Sequence, residues 1–163
     1  MQKSNKKLLV YLPCVLLVSF GLYFIFSTLP SVRYWVDDFC NANMLRDNGF
    51  WGAQVGWWRS WTGRYSYIFF SDIFMSIGVW TVKILPLLLL AGLVLSAGRI
   101  FKSNLIISLL FAILVLLNSP NIIQTFYWQT GSLNYTIPFI FLNFMLGLLF
   151  SKNKKYHAPL AFF

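Results

Sequence analysis

The stretch Tyr34–Tyr67, YWVDDFCNANMLRDNGFWGAQVGWWRSWTGRYSY, holds Asp37, Asp38 and Asp47 of the chain's 4 acidic residues, together with Trp35, Trp51, Trp57, Trp58 and Trp61 of its 7 tryptophans. Arg46, Arg59 and Arg64 lie in it too, and nearly everything around it is apolar. A polar, aromatic-rich loop held between apolar segments is where function concentrates, because a bilayer already accounts for the apolar parts.

Composition places the 163-residue chain in the membrane class. Hydrophobic residues make up 58% and charged residues 10%, with a mean hydropathy of +0.68, whereas a soluble domain carries about 25% charged residues. The net charge of +9 does not read as a nucleic-acid surface, because the basic residues sit in short clusters at the ends of apolar runs.

Working outward, a basic leader from Gln2 to Lys7 precedes an apolar run over 8–30, long enough for the roughly 20 helical residues that a bilayer requires. The run is too long for a signal-peptide core, and no small-x-small site follows it. Leu12-Pro13-Cys14 departs from a lipoprotein box at Pro13. Cys14 falls inside this helix and Cys40 outside it, so no disulfide is expected.

Further crossings are expected over 79–97, 105–118 and 136–150, making an all-α, polytopic, single membrane domain of four transmembrane helices. Three acid-free basic clusters, Lys3/Lys6/Lys7, Arg99/Lys102 and Lys152/Lys154/Lys155, account for 8 of the 13 basic residues. They alternate with the crossings as the positive-inside rule requires. The expectation is therefore a multi-pass protein of the inner (plasma) membrane, both termini cytoplasmic and the Asp37 loop outside. Within the outer loop, 31–78, Tyr65 to Gly78 is too short for a crossing and contains Asp72. It is expected to be an interfacial helix, as are the tryptophan-rich residues before it.

The runs at 105–118 and 136–150 are shorter than a bilayer needs, and the shortfall lies at their outer ends. Asn118–Asn121 and Gly131–Tyr135 are expected to be non-helical and at headgroup depth. They either line a recess beneath the Asp37 loop or mark a thinned bilayer.

Several residues invite a chemical reading, each beside a plain one. Asp37 and Asp38 precede a helix-like segment, Phe39 to Asn48, stopped by Gly49: one carboxylate can cap the helix while the other serves as general base. Arg59 and Arg64 can hold a phosphate through planar hydrogen bonds, or snorkel to lipid headgroups. Asp72 is expected to neutralise one of these arginines. His157 lies on the cytoplasmic tail, and the sequon Asn134-Tyr-Thr136 is read as chance. No phosphate-binding glycine loop, zinc spacing, nucleophile elbow or internal repeat is present.

Trp35-Val-Asp37-Asp38-Phe-Cys, continued by Met44-Leu-Arg46-Asp-Asn-Gly49, resembles the start of a GT-C type membrane glycosyltransferase. Trp61-Thr-Gly63-Arg64-Tyr65 and Tyr127-Trp128-Gln-Thr-Gly131 with Asn134-Tyr135 are similar to bacterial polytopic membrane proteins of that group. The resemblance implies inverting transfer of a sugar from a polyprenyl-phosphate carrier to a glycan or lipid acceptor in the cell envelope, with membrane lipid and no nucleic acid as further partners. It carries a catalytic role onto Asp37 and Asp38, and substrate or phosphate binding onto Arg64, Arg59, Trp61, Tyr65, Trp128, Asn134 and Tyr135. No cofactor is expected, because the adjacent acidic pair departs from the spaced Asp-x-Asp of metal-using members. Such enzymes run to several hundred residues, so a fragment of one is a further expectation. The alternative is a non-catalytic membrane protein, or part of a transporter or flippase, that binds lipid-linked sugars without chemistry.

Overall fold

A computed structural model describes residues 2–61 and 63–150, with side chains from Tyr11 onward. The side chains of Lys3, Lys6 and Lys7, and all of Lys152, Lys154, Lys155 and His157, lie outside the described residues.

The described chain is all-helical. Its helices are α1 (Gln2–Thr28), α2 (Asp37–Ser60), α3 (Tyr65–Ile77), α4 (Thr81–Phe101), α5 (Leu105–Leu117) and α6 (Gln129–Leu149). A 3₁₀ turn, Leu29–Ser31, follows α1, and a π-helical segment, Ile123–Tyr127, precedes α6. Among the described residues three helices are long and apolar enough to cross a membrane, over Tyr11–Ser31, Thr81–Phe101 and Gln129–Leu149. Helices α1, α4 and α6 each contain one proline, Pro13, Pro86 and Pro138 respectively, which spanning helices tolerate where neighbouring groups satisfy the freed backbone. Helix α5 is apolar throughout but only 13 residues long, or about 20 Å. Asn104 caps it, its side-chain oxygen accepting from the Ile107 N–H at 3.0 Å.

The chain divides into two compact units. The first comprises Met1–Thr28, Leu90–Pro120 and Phe139–Phe163, the second Leu29–Leu89 and Asn121–Pro138. The first packs through small residues. A Cβ on Gly21 would come within 2.6 Å of Ile113, one on Gly92 within 3.0 Å of Ile140, and one on Gly147 within 3.1 Å of Arg99. Such positions let helices approach closely where no hydrophobic force sorts them from lipid. Only 17% of the α1 span is buried within the protein, and Leu12, Leu16, Phe20 and Phe26 face outward, a surface that hydrocarbon can cover.

The second unit is different in chemistry. Of the twelve buried polar residues among those described, it holds nine, including Asp38, Asn41, Asp72, Gln129 and Thr130. Buried polar groups require partners, so this is where sequence-distant side chains are fixed against one another. Its helices α2 and α3 pack together. Helix α2 is broken at Gly49, whose φ of 67° and ψ of 175° suit glycine alone. The stop expected there is therefore present, and the chain resumes as helix at once.

Helix α6 begins at Gln129, so Gly131–Tyr135 is helical rather than irregular, and the last apolar helix starts well before the expected residue 136. Thr, Gly, Ser and Asn are poor helix formers, but Gln129, Thr130 and Ser132 are buried and tertiary contacts override propensity. Gly131 is required by a close approach: a Cβ there would collide with the backbone carbonyl of Gln124 in the π-helical segment.

Candidate functional site

The second unit is organised around the turn that enters α2. Val36 has φ 45° and ψ −106°, a conformation that costs a β-branched residue on the order of 1–3 kcal/mol and that only surrounding structure maintains. The surrounding bonds are present. Asp38 N–H donates to the Trp35 carbonyl at 3.0 Å, and Phe39 N–H to that of Val36 at 3.2 Å. Trp128 Nε1 also donates to the Trp35 carbonyl, at 3.0 Å, with the two indoles edge-on at 6.0 Å.

Asp38 closes this turn and reaches a second helix. Its Oδ2 accepts from the Trp35 N–H at 3.0 Å, while Oδ1 accepts from Thr130 N–H at 3.0 Å and Thr130 Oγ1 at 2.7 Å. Thr130 lies in the first turn of α6, whose leading N–H groups have no partner within the helix. Asp38 therefore acts as a cap, but on a helix 92 residues away, and its carboxylate meets the positive end of that helix. Burial pushes its carboxyl above the usual range, and the Asp37 charge adds to this, while the bonds from Thr130 and Trp35 oppose it. A side chain with no exposed surface and both oxygens engaged is unavailable to a substrate.

Asp37 points elsewhere, as a separation of about 100° between adjacent helical residues requires. It lines a cavity of about 290 Å³ with Trp61, Arg64, Tyr67, Trp128, Thr130, Gly131, Asn134 and Tyr135. Six of the nine residues singled out from sequence meet here: Asp37, Trp61, Arg64, Trp128, Asn134 and Tyr135. Asp38 sits behind the wall. Arg59 is exposed and off the cavity; Tyr65, also off it, packs its ring 6.0 Å from that of Trp58.

Tyr67, Thr130 and Gly131 complete the wall, though none was chosen as a site residue from sequence. Asn41 Nδ2 donates to the Tyr67 hydroxyl and, at 3.3 Å, to Thr130 Oγ1. Burial raises the Tyr67 phenol, against hydrogen bonds to Thr130 and Asn41. The signal for Tyr67 is its place three residues after Arg64, one helical turn on the same face. Asn134 is held by its own helix, Nδ2 donating to the Thr130 carbonyl at 2.8 Å.

Asp72 is not neutralised by arginine. It is fully buried on α3, and its Oδ2 accepts from Gln54 Nε2 at 2.7 Å. The face that buries Asp72 meets α2 at Gln54, while Arg59 and Arg64 are exposed. Burial raises its carboxyl to about 6, with the Gln54 bond opposing.

A raised carboxyl means that the fold prefers the protonated form, so the stabilisation is complete below the unfolded value of 3.8 and is lost as pH rises to about 6. At about 1.4 kcal/mol per unit this amounts to roughly 3 kcal/mol. Chemical denaturation of the detergent-solubilised protein should therefore show declining stability from pH 4 to 6.5. Asp72→Asn should flatten most of that slope, leaving the share of Asp38, which has the same sign. An unchanged slope in the variant would refute the assignment.

Among the described residues no three His, Cys, Asp or Glu side chains converge. With Asp38 engaged by N–H and O–H donors, Asp37 is the only carboxylate among the cavity-lining residues. The cavity combines a carboxylate, a guanidinium, an amide and four aromatic rings, chemistry suited to a polar ligand with an anionic group and an apolar face. No family profile matches this chain, and no curated protein or solved structure matches it.

Proposed function

We propose that this protein is part of a GT-C type membrane glycosyltransferase, an enzyme transferring a sugar from a polyprenyl-phosphate carrier to a hydroxyl acceptor on the outer face of the inner membrane. One observation carries the reading: Asp37, Trp61, Arg64, Trp128, Asn134 and Tyr135, drawn from three separate stretches of the chain, line one cavity. Its volume of about 290 Å³ is at the lower end for small-ligand sites, about 300–1,000 Å³, which suits a single sugar unit.

In this reading the acceptor oxygen attacks the anomeric carbon as Asp37 takes its proton. The bond from that carbon to the phosphate oxygen breaks on the opposite face, inverting the centre. The electron pair leaves with the carrier phosphate, whose charge Arg64 steadies. Trp61, Trp128 and Tyr135 offer faces to the sugar ring, and Asn134 a hydrogen bond.

The topology that serves this chemistry has α5 as a short fourth crossing, both termini cytoplasmic, and α2 and α3 at the outer interface. Cys40 is exposed and tests it directly. With Cys14 replaced by serine, a membrane-impermeant maleimide added to intact spheroplasts should label Cys40; labelling only after lysis would reverse the orientation. The activity is tested with membranes containing the protein and a radiolabelled polyprenyl-phosphate sugar. Transfer to endogenous acceptor is expected, and carrier binding without transfer would sink the enzymatic reading.

A further inference from the structure

A second groove, separate from the Asp37 cavity, lies where two apolar spans end. It encloses about 480 Å³ and is lined by Arg33, Lys83, Val79, Trp80, Val32 and Val82 among others. One span closes at Ser31 and the other opens at Thr81, so Arg33 and Lys83 stand within two residues of apolar boundaries. Both cationic side chains are exposed.

Among the described residues neither cation has an acidic partner. The chain has 4 acids, and their places are known: Asp37 lines the other cavity, Asp38 holds Trp35 and Thr130, Asp47 pairs with Arg46 at 2.9 Å, and Asp72 meets Gln54.

The apolar wall is built as well. Val32 and Val82 line it and are buried, while Val79 and Trp80 stay exposed at 63% and 56%. Trp80 is seated on Gly78, where φ is 134° and a Cβ would lie 3.0 Å from the indole nitrogen. The turn is tied by Thr81, whose hydroxyl donates to the Gly78 carbonyl at 2.7 Å. An indole at the mouth of a groove, beside two cations at the ends of apolar spans, presents headgroup chemistry and acyl chemistry side by side.

We propose that this groove binds the phosphodiester headgroup of an anionic phospholipid, Arg33 and Lys83 holding the phosphate and Trp80 with Val79 covering the upper acyl chains. A free phosphate would leave the apolar wall unused, and a zwitterionic lipid would bring its own cation to two others. Charge and amphipathy together select a phospholipid of net negative charge.

Native mass spectrometry of the full chain, exchanged into detergent with dioctanoyl phosphatidylglycerol or dioctanoyl phosphatidylcholine, tests this. Retention of phosphatidylglycerol over phosphatidylcholine is expected. Each of Arg33→Gln and Lys83→Gln should weaken it about fivefold, and the double variant about 30-fold, while Arg46→Gln leaves it unchanged. Arg33→Lys should restore most of the binding, separating charge from a folding effect. Equal retention of the two lipids, undiminished retention by the double variant, or full displacement by inorganic phosphate at matched ionic strength would overturn the proposal.

Discussion

Asp38→Ala should lower stability by about 3 kcal/mol, the largest loss expected from any single carboxylate in the chain. The substitution leaves three donors without their acceptor: the Trp35 N–H, the Thr130 N–H and the Thr130 hydroxyl. A buried donor stranded in this way costs on the order of 1–3 kcal/mol. The three share one carboxylate, and the release of a buried anion offsets part of the loss, so the costs do not simply add. Damage should also be local to the joint. Hydrogen exchange should rise at the amides of Trp35 and Thr130, because the strained Val36 turn loses the bond that closes it. Asp38→Asn keeps one carbonyl oxygen for Thr130 but sets an amide nitrogen against the Trp35 N–H, so its loss should be intermediate. Wild-type stability and exchange in Asp38→Ala would show that the clamp does not hold the two helices.

Asp37→Asn should show the opposite pattern, folded and inactive. Asp37 is partly exposed on the cavity wall, and an isosteric amide there should change stability by no more than about 0.5 kcal/mol. The amide cannot accept the acceptor's proton as the new bond forms, and loss of a positioned base costs about 100- to 10,000-fold in rate. Transfer by membranes containing Asp37→Asn should fall within that range, with carrier binding retained. Asp38→Asn should lose less activity, in step with its folded fraction. Undiminished transfer by Asp37→Asn would overturn the assignment of Asp37 as the base. Because the two variants separate activity from stability, a failure to fold cannot be mistaken for a failure of chemistry.

Much of the architecture is local and therefore legible in the sequence. A bilayer-length apolar run declares its own solvent, so 8–30 and 79–97 point to α1 and α4 without knowledge of any neighbour. Gly49 and Gly78 mark breaks because their φ values of 67° and 134° belong to glycine chemistry, which is also local. The short acid-bearing segment at Tyr65 to Gly78 forms a helix, α3, nearly residue for residue. The clustering of Trp, Arg and Asp before it marks the second unit as the polar part of an otherwise apolar chain.

Tertiary structure decided how those residues divide their work. Nothing in Val36-Asp37-Asp38 says which carboxylate is buried and which lines the cavity, because the answer depends on Thr130, 92 residues later. The start of α6 is hidden for the same reason: Gln129-Thr-Gly-Ser reads as a loop until a distant carboxylate caps it and its polar side chains are buried. Asp72 had arginines close in sequence, yet it meets Gln54, because helix faces set contacts by rotation about the axis rather than by charge. Apolarity and turn chemistry act over a few residues and can be read one stretch at a time, whereas a buried hydrogen bond belongs to two stretches and exists only once both are in place.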